Sequence, residues 1–221
     1  MSNFLNPENG FFSFMGKAFD MFVINLLWLL LCIPLVTIVP ATTALYYTVV
    51  KVIRRERSYA VKEFFRSFKR NFRQGSIFSI IGIVAALVMY IDFRYAWLLT
   101  QEQQSSGSMM IGVFLVIAFL ICGIFLYLCP VLSRFDMPFG RILKSSFFMS
   151  TKHMPTTVVL LAICMAVLLG SYIVPIGIFI LPVAGTLLAS FLIERVFKKY
   201  MPTKGESEGG ESPEKDEWYL E

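Results

Sequence analysis

Four long runs of the chain carry no charge through their middle, and this feature decides most of what such a sequence can fold into. The runs are 21–41, 76–98, 109–133 and 156–193, with only Asp92 and Arg94 intruding near an end. Each of the first three is about as long as the ~20 residues an α-helix needs to cross a ~30 Å hydrocarbon layer. The fourth is too long for one crossing, and Pro175 and Gly177 offer a break, so it divides into 156–174 and 176–193. The expected fold class is all-α: a polytopic helical membrane protein of about five transmembrane helices with cytoplasmic amphipathic connector helices. Composition supports this, because 57% of the 221 residues are hydrophobic and 16% charged, against roughly 45–50% and about 25% in soluble domains. The excess apolar surface is expected to face lipid, and a separate catalytic domain does not fit.

Sidedness follows from where Lys and Arg collect, since cationic loops resist translocation. Segment 51–75 has nine Lys or Arg against two Glu, a net of 9 − 2 = +7. Segment 133–157 has four against one, net +3, whereas 101–108 has one Glu and no cation. Five spans with these loops place the N-terminus outside and the C-terminus in the cytoplasm of a bacterial plasma-membrane protein. Pro34 and Pro40 are helix-break candidates in the first span, and a broken or re-entrant helix there would return the N-terminus to the cytoplasm. A signal peptide cleaved near Val39-Pro40-Ala41 fits less well, because Glu8 and Asp20 precede it with only Lys17. Residues 201–221 are acidic, with two Lys against seven carboxylates, and are expected to form a disordered cytoplasmic tail.

The segment 58–74 offers the clearest candidate contact surface. On a helix, Val61, Phe64, Phe65, Phe68 and Phe72 share one face, with Lys62, Arg66, Lys69, Arg70 and Arg73 falling away from its centre. Together with Arg54 and Arg55, this pattern suits contact with anionic lipid headgroups or a partner, each cation near the surface contributing about 1 kcal/mol. Packing of the phenylalanines on the protein's own spans is the competing reading. Nucleic acid is not expected, because a segment tied between two spans already lies on a negatively charged surface. A weaker echo at 134–153, with Phe139, Ile142, Leu143 and Phe147 beside Arg141, Lys144 and Lys152, suggests a pseudo-repeat. Ala162, Ala166 and Gly170, and then Gly185 and Ala189, form small-residue stripes suited to helix packing within the last hairpin or in a homo-oligomer.

Catalysis is not expected. Cys32, Cys122, Cys129 and Cys164 all lie in apolar runs without a CxxC pair, and His153 is the sole histidine, so no metal cluster and no cofactor are foreseen. No phosphate-binding loop, GxSxG turn or paired intramembrane carboxylates occur. Within the spans, Asn25, Thr37, Thr42, Thr43, Ser79 and Thr186 supply the polar groups, which argues against a proton-coupled pump.

Residues 31–47, Leu-Cys-Ile-Pro-Leu-Val-Thr-Ile-Val-Pro-Ala-Thr-Thr-Ala-Leu-Tyr-Tyr, followed by Phe64-Phe65-Arg66-Ser67-Phe68-Lys69-Arg70-Asn71-Phe72 and by Arg134-Phe135-Asp136, resemble the YesL-like family of small membrane proteins of Gram-positive bacteria. The resemblance covers most of 5–200, although the family pattern has a glycine where this chain has Val39. It brings no catalytic residues. It implies a domain of unknown function whose genes sit near sugar permeases and polysaccharide-degrading enzymes, and hence a non-catalytic accessory of carbohydrate uptake or sensing that binds a sugar permease complex. The alternatives are a small permease for a neutral solute and a lipid-binding scaffold.

Overall fold

A computed structural model describes residues 10–54, 59–101 and 105–198. The described residues are almost entirely helical, and they contain no strand. Seven α-helices follow in order: α1 (Gly10–Leu31), α2 (Ile38–Thr48), α3 (Ala60–Gln101), α4 (Ser105–Arg134), α5 (Phe139–Lys152), α6 (Met154–Ile173) and α7 (Leu181–Phe197). Among them, Leu35–Arg54, Ala60–Gln101, Gly107–Arg134 and Met154–Ile173 are long and apolar enough to cross a membrane. The chain is an all-α polytopic membrane protein.

The apolar run 21–41 is not a single span. α1 ends at Leu31, the chain turns through Cys32–Thr37, and α2 returns alongside α1, with Trp28 Nε1 donating to Thr42 Oγ1 at 3.2 Å. Pro34 makes the turn, because its extended backbone (φ −76°, ψ 120°) departs from the helix and it has no N–H to continue the ladder. The Thr37 hydroxyl, 2.6 Å from the Pro34 carbonyl and beside that of Leu31, satisfies acceptors left open at the end of α1. Pro40, expected as a breaker, instead lies in the first turn of α2, where a missing N–H costs nothing. The break at Pro175 is as expected: α6 stops at Ile173, a short 3-10 turn spans Pro175–Phe179, and α7 follows.

A second departure concerns α3. The expected amphipathic connector and the span after it are one helix of 42 residues, about 63 Å long at ~1.5 Å per residue. Its first half packs along α2, which is the most enclosed helix of the bundle, with 72% of its apolar window buried. Gly75 allows the contact, since a Cβ there would lie 2.9 Å from the Pro40 ring. Ser79 Oγ accepts the Val39 N–H at 3.0 Å, so the side chain of one helix caps the start of another. The second half of α3 and the facing part of α4 form a long apolar arm.

Two buried clusters hold the bundle together. One joins α2, α4, α5 and α7 through Tyr46, Tyr127, Leu128, Ile142, Ile193 and Phe197; the other joins α1, α2, α3 and α7 through Ile24, Leu45, Val49, Phe64 and Val183. α5 lies back against α4, burying Ile142 and Met149 and stacking Phe139 on Phe78 with ring centroids 4.3 Å apart.

Candidate functional site

Immediately after α2 the helix widens into a π-turn, Val49–Arg54, a distortion that recurs at functional sites because it re-aims side chains. Here it carries Lys51 and Arg54, and both point into the protein. Arg54 Nη1 donates to the Ser190 carbonyl and hydroxyl oxygens, each at 3.3 Å, lies 3.9 Å from Glu194 Oε2, and stacks its guanidinium 4.1 Å above the Phe191 ring. The same Glu194 carboxylate accepts from Arg134 Nη2 and lies 3.5 Å from the Tyr46 hydroxyl, which donates to it. One carboxylate thus ties α2, the π-turn, α4 and α7 together. Arg134 is 2% exposed, so its charge is affordable only because this partner is fixed in place.

A smaller buried group lies one helix turn away. Lys51 Nζ donates to Glu63 Oε2 and to the Tyr47 hydroxyl, both at 3.0 Å, and Arg66 Nη1 lies 3.9 Å from Glu63 Oε1. Glu63 stands in the first turn of α3, where the positive end of the helix dipole favours a carboxylate. Together the two groups set four cations, Arg54, Arg134, Lys51 and Arg66, against two carboxylates. The arrangement suits a charge clasp, and no group of three or more His, Cys, Asp or Glu that could hold a metal ion occurs among the described residues.

These pairings correct several expectations. Arg54, foreseen as a surface contact, is turned inward onto Ser190 and Glu194; Arg55 lies outside the described residues, as does the acidic tail. Phe64, foreseen on a lipid-facing stripe, is 0% exposed and belongs to the core. The buried arc of α3 is formed by Ala60, Glu63, Phe64, Ser67, Asn71 and Gly75, one helical step from the arc that the phenylalanines suggest. Phe65 and Phe72 remain exposed and Phe68 half-buried, forming a strip between that arc and the exposed cations Lys62, Arg66, Lys69 and Arg73. Arg70 pairs across the surface with Asp136 at 2.6 Å. On α5, Leu143, Phe147 and Phe148 are exposed beside Arg141, Lys144 and Lys152.

The small-residue stripes also shift. Ala162 and Ala166 are exposed, and α6 meets α7 through Ile163, Val167 and Gly170, which face Gly185 and Leu181. Gly185 serves the close approach foreseen for it, whereas Ala189 borders a cavity. Glu63 and Glu194 were not among the sequence candidates. The available signal was a carboxylate near the end of an otherwise apolar helix, hidden because Glu194 is followed by Arg195, Lys198 and Lys199 and reads as part of a cationic boundary.

Residues 21–93 match the family model described as a protein of unknown function, DUF624. The chain is 28% identical to the uncharacterized protein YesL of Bacillus subtilis over 197 residues, covering 87% of this chain and 90% of that protein. The chain is thus similar to YesL over most of its length. It is also 26% identical to the uncharacterized protein YteU of Bacillus subtilis over 146 residues, 64% of each chain. No solved structure matches it at a significant level. The DUF624 match covers the α1–α2 turn, the π-turn and most of α3.

Proposed function

We propose that this YesL-like protein is a non-catalytic, partner-binding component of the bacterial plasma membrane that serves carbohydrate uptake or sensing. The observation that carries the partner-binding part is the split between a closed interior and an open exterior. Inside, the charges near the end of the bundle are drawn into the Glu194 and Glu63 groups, and the helix contacts beyond them are apolar. That is a poor path for a sugar, which needs many hydrogen-bonding partners along its way. Outside, the exposed aromatic and cationic strips of α3 and α5 meet the description of a surface that binds anionic headgroups or the cytoplasmic face of a permease. The carbohydrate context rests on the family resemblance alone.

In this reading the cationic end faces the cytoplasm. Because α1 and α2 run antiparallel, the start of α1 then lies on the same side as Arg54, and the N-terminus is cytoplasmic instead of outside. Replacement of Lys62, Lys69 and Arg73 with Gln is expected to release the protein from a co-purifying permease complex in mild detergent while leaving its thermal stability unchanged. Flux of labelled oligosaccharide into proteoliposomes containing this chain alone would replace the accessory reading with that of a permease. Retention of the complex combined with loss of binding to anionic vesicles would favour a lipid scaffold.

A further inference from the structure

A cavity of about 370 Å³ lies between α1, α2, α4, α6 and α7, more than twice the size of an engineered core cavity of ~150 Å³ that stays dry and binds benzene. It extends along α6 from Leu160 to Ser171, about 16 Å at ~1.5 Å per residue, and the Tyr46 ring borders it. Its walls are almost entirely apolar, and the few polar groups are already engaged. Thr42 donates to the Ile38 carbonyl at 2.8 Å and accepts from Trp28 Nε1, and Thr186 donates to the Pro182 carbonyl at 2.8 Å. The Ser171 hydroxyl is the exception, a buried oxygen with no hydrogen-bond partner. A water molecule needs two to four polar partners to settle in a cavity, and this one offers little beyond a single hydroxyl.

The rim decides what enters instead. Cys164 and Leu168 are exposed on the outer surface of α6, in the middle of a helix long and apolar enough to cross the membrane. The mouth therefore opens sideways at the level of lipid tails. We propose that the cavity binds one hydrocarbon chain of a membrane lipid, seated lengthwise between α6 and Tyr46. A saccharide is excluded by the same walls, because its hydroxyls would lose their water without finding replacements. The occupant therefore differs in chemistry from any sugar handled by the protein's partners.

Trp28 borders the cavity and serves as its probe. The test is a full-length chain with Trp97→Phe and Trp218→Phe, leaving Trp28 as the sole tryptophan, reconstituted into phosphatidylglycerol vesicles with brominated acyl chains. Bromine quenching of Trp28 is expected. It should fall when the cavity is filled by Ala189→Leu from within or by Cys164→Phe at the rim, both checked for unchanged thermal unfolding. A matching protein with only Trp97, which is exposed on the arm, should keep its quenching in both filled variants. Brominated free fatty acid added to unbrominated vesicles separates the sources: quenching by the phospholipid alone names a bilayer tail, and quenching by the fatty acid names a free amphiphile. Absence of quenching from both carriers, or quenching of Trp28 that is unchanged in either folded filled variant, overturns the proposal.

Discussion

Over Ala60–Ser79, α3 buries Ala60, Glu63, Ser67, Asn71 and Gly75 against its neighbours, whereas over 80–101 the same helix leaves Ile80, Val84, Leu87, Val88 and Ile91 exposed. The buried half is the more polar one. In water this would be an inverted helix; in lipid it is the stable order, because apolar side chains gain nothing from leaving hydrocarbon, while small residues and hydrogen bonds hold helices together. Ser79 accordingly accepts the Val39 N–H of α2 at 3.0 Å, and Glu63 reaches Lys51. Only 11% of the apolar window of α3 is buried, against 72% for that of α2. Hydropathy thus reports which surface meets lipid, and says little about which surface meets protein.

The contrast can be broken most severely at its polar half. Glu194→Ala leaves Arg134 and Arg54 without their shared carboxylate, and a loss of about 3–5 kcal/mol is expected because an uncompensated buried charge remains. Thermal unfolding in detergent should show the variant mostly unfolded, and a near-normal melting temperature would mean that the clasp does not organise the bundle. On the arm the sensitivity should reverse. Val84→Ala should be nearly silent, whereas Val84→Arg should raise the cost of membrane insertion by about 2.5–3.5 kcal/mol, visible as a lower inserted fraction in microsomes or inverted vesicles. Equal behaviour of the two variants would mean that this face of α3 does not lie in lipid. A smaller loss than that of Glu194→Ala or Val84→Arg is expected at the contact of the two halves' common neighbour. Gly75→Ala pushes a methyl group against the Pro40 ring and should cost about 1–3 kcal/mol through overpacking, read as a modest fall in melting temperature with the fold retained.

How far the chain could be read in advance follows the same division. The apolar runs, the break at Pro175 and the cationic end required only local information: hydropathy, the missing N–H of proline and the count of Lys and Arg. Pro34 was legible as a break, but its consequence was not, because a kinked helix and a turn between two helices share the same local sequence. Phe64 was misplaced because a five-residue apolar stripe is wide enough on a helix to straddle two faces, and contact with α2 selected only one edge of it. Ala162 and Ala166 were misplaced for a related reason: the repeat marks a possible seam, and the neighbouring Ile163 and Val167 made the contact with Gly185.

The sequence by itself determined that this protein lives in lipid, that its chain breaks at Pro34 and Pro175 and which end carries the positive charge, since each rests on short segments, through their transfer between water and hydrocarbon or the missing N–H of proline. Only the tertiary structure decided that Glu194 would join Tyr46, Arg54 and Arg134, which are separated from it by 60 to 148 positions in the chain. Ion pairing depends on distance and on the exclusion of water, and both arise when α2, α4 and α7 are packed together.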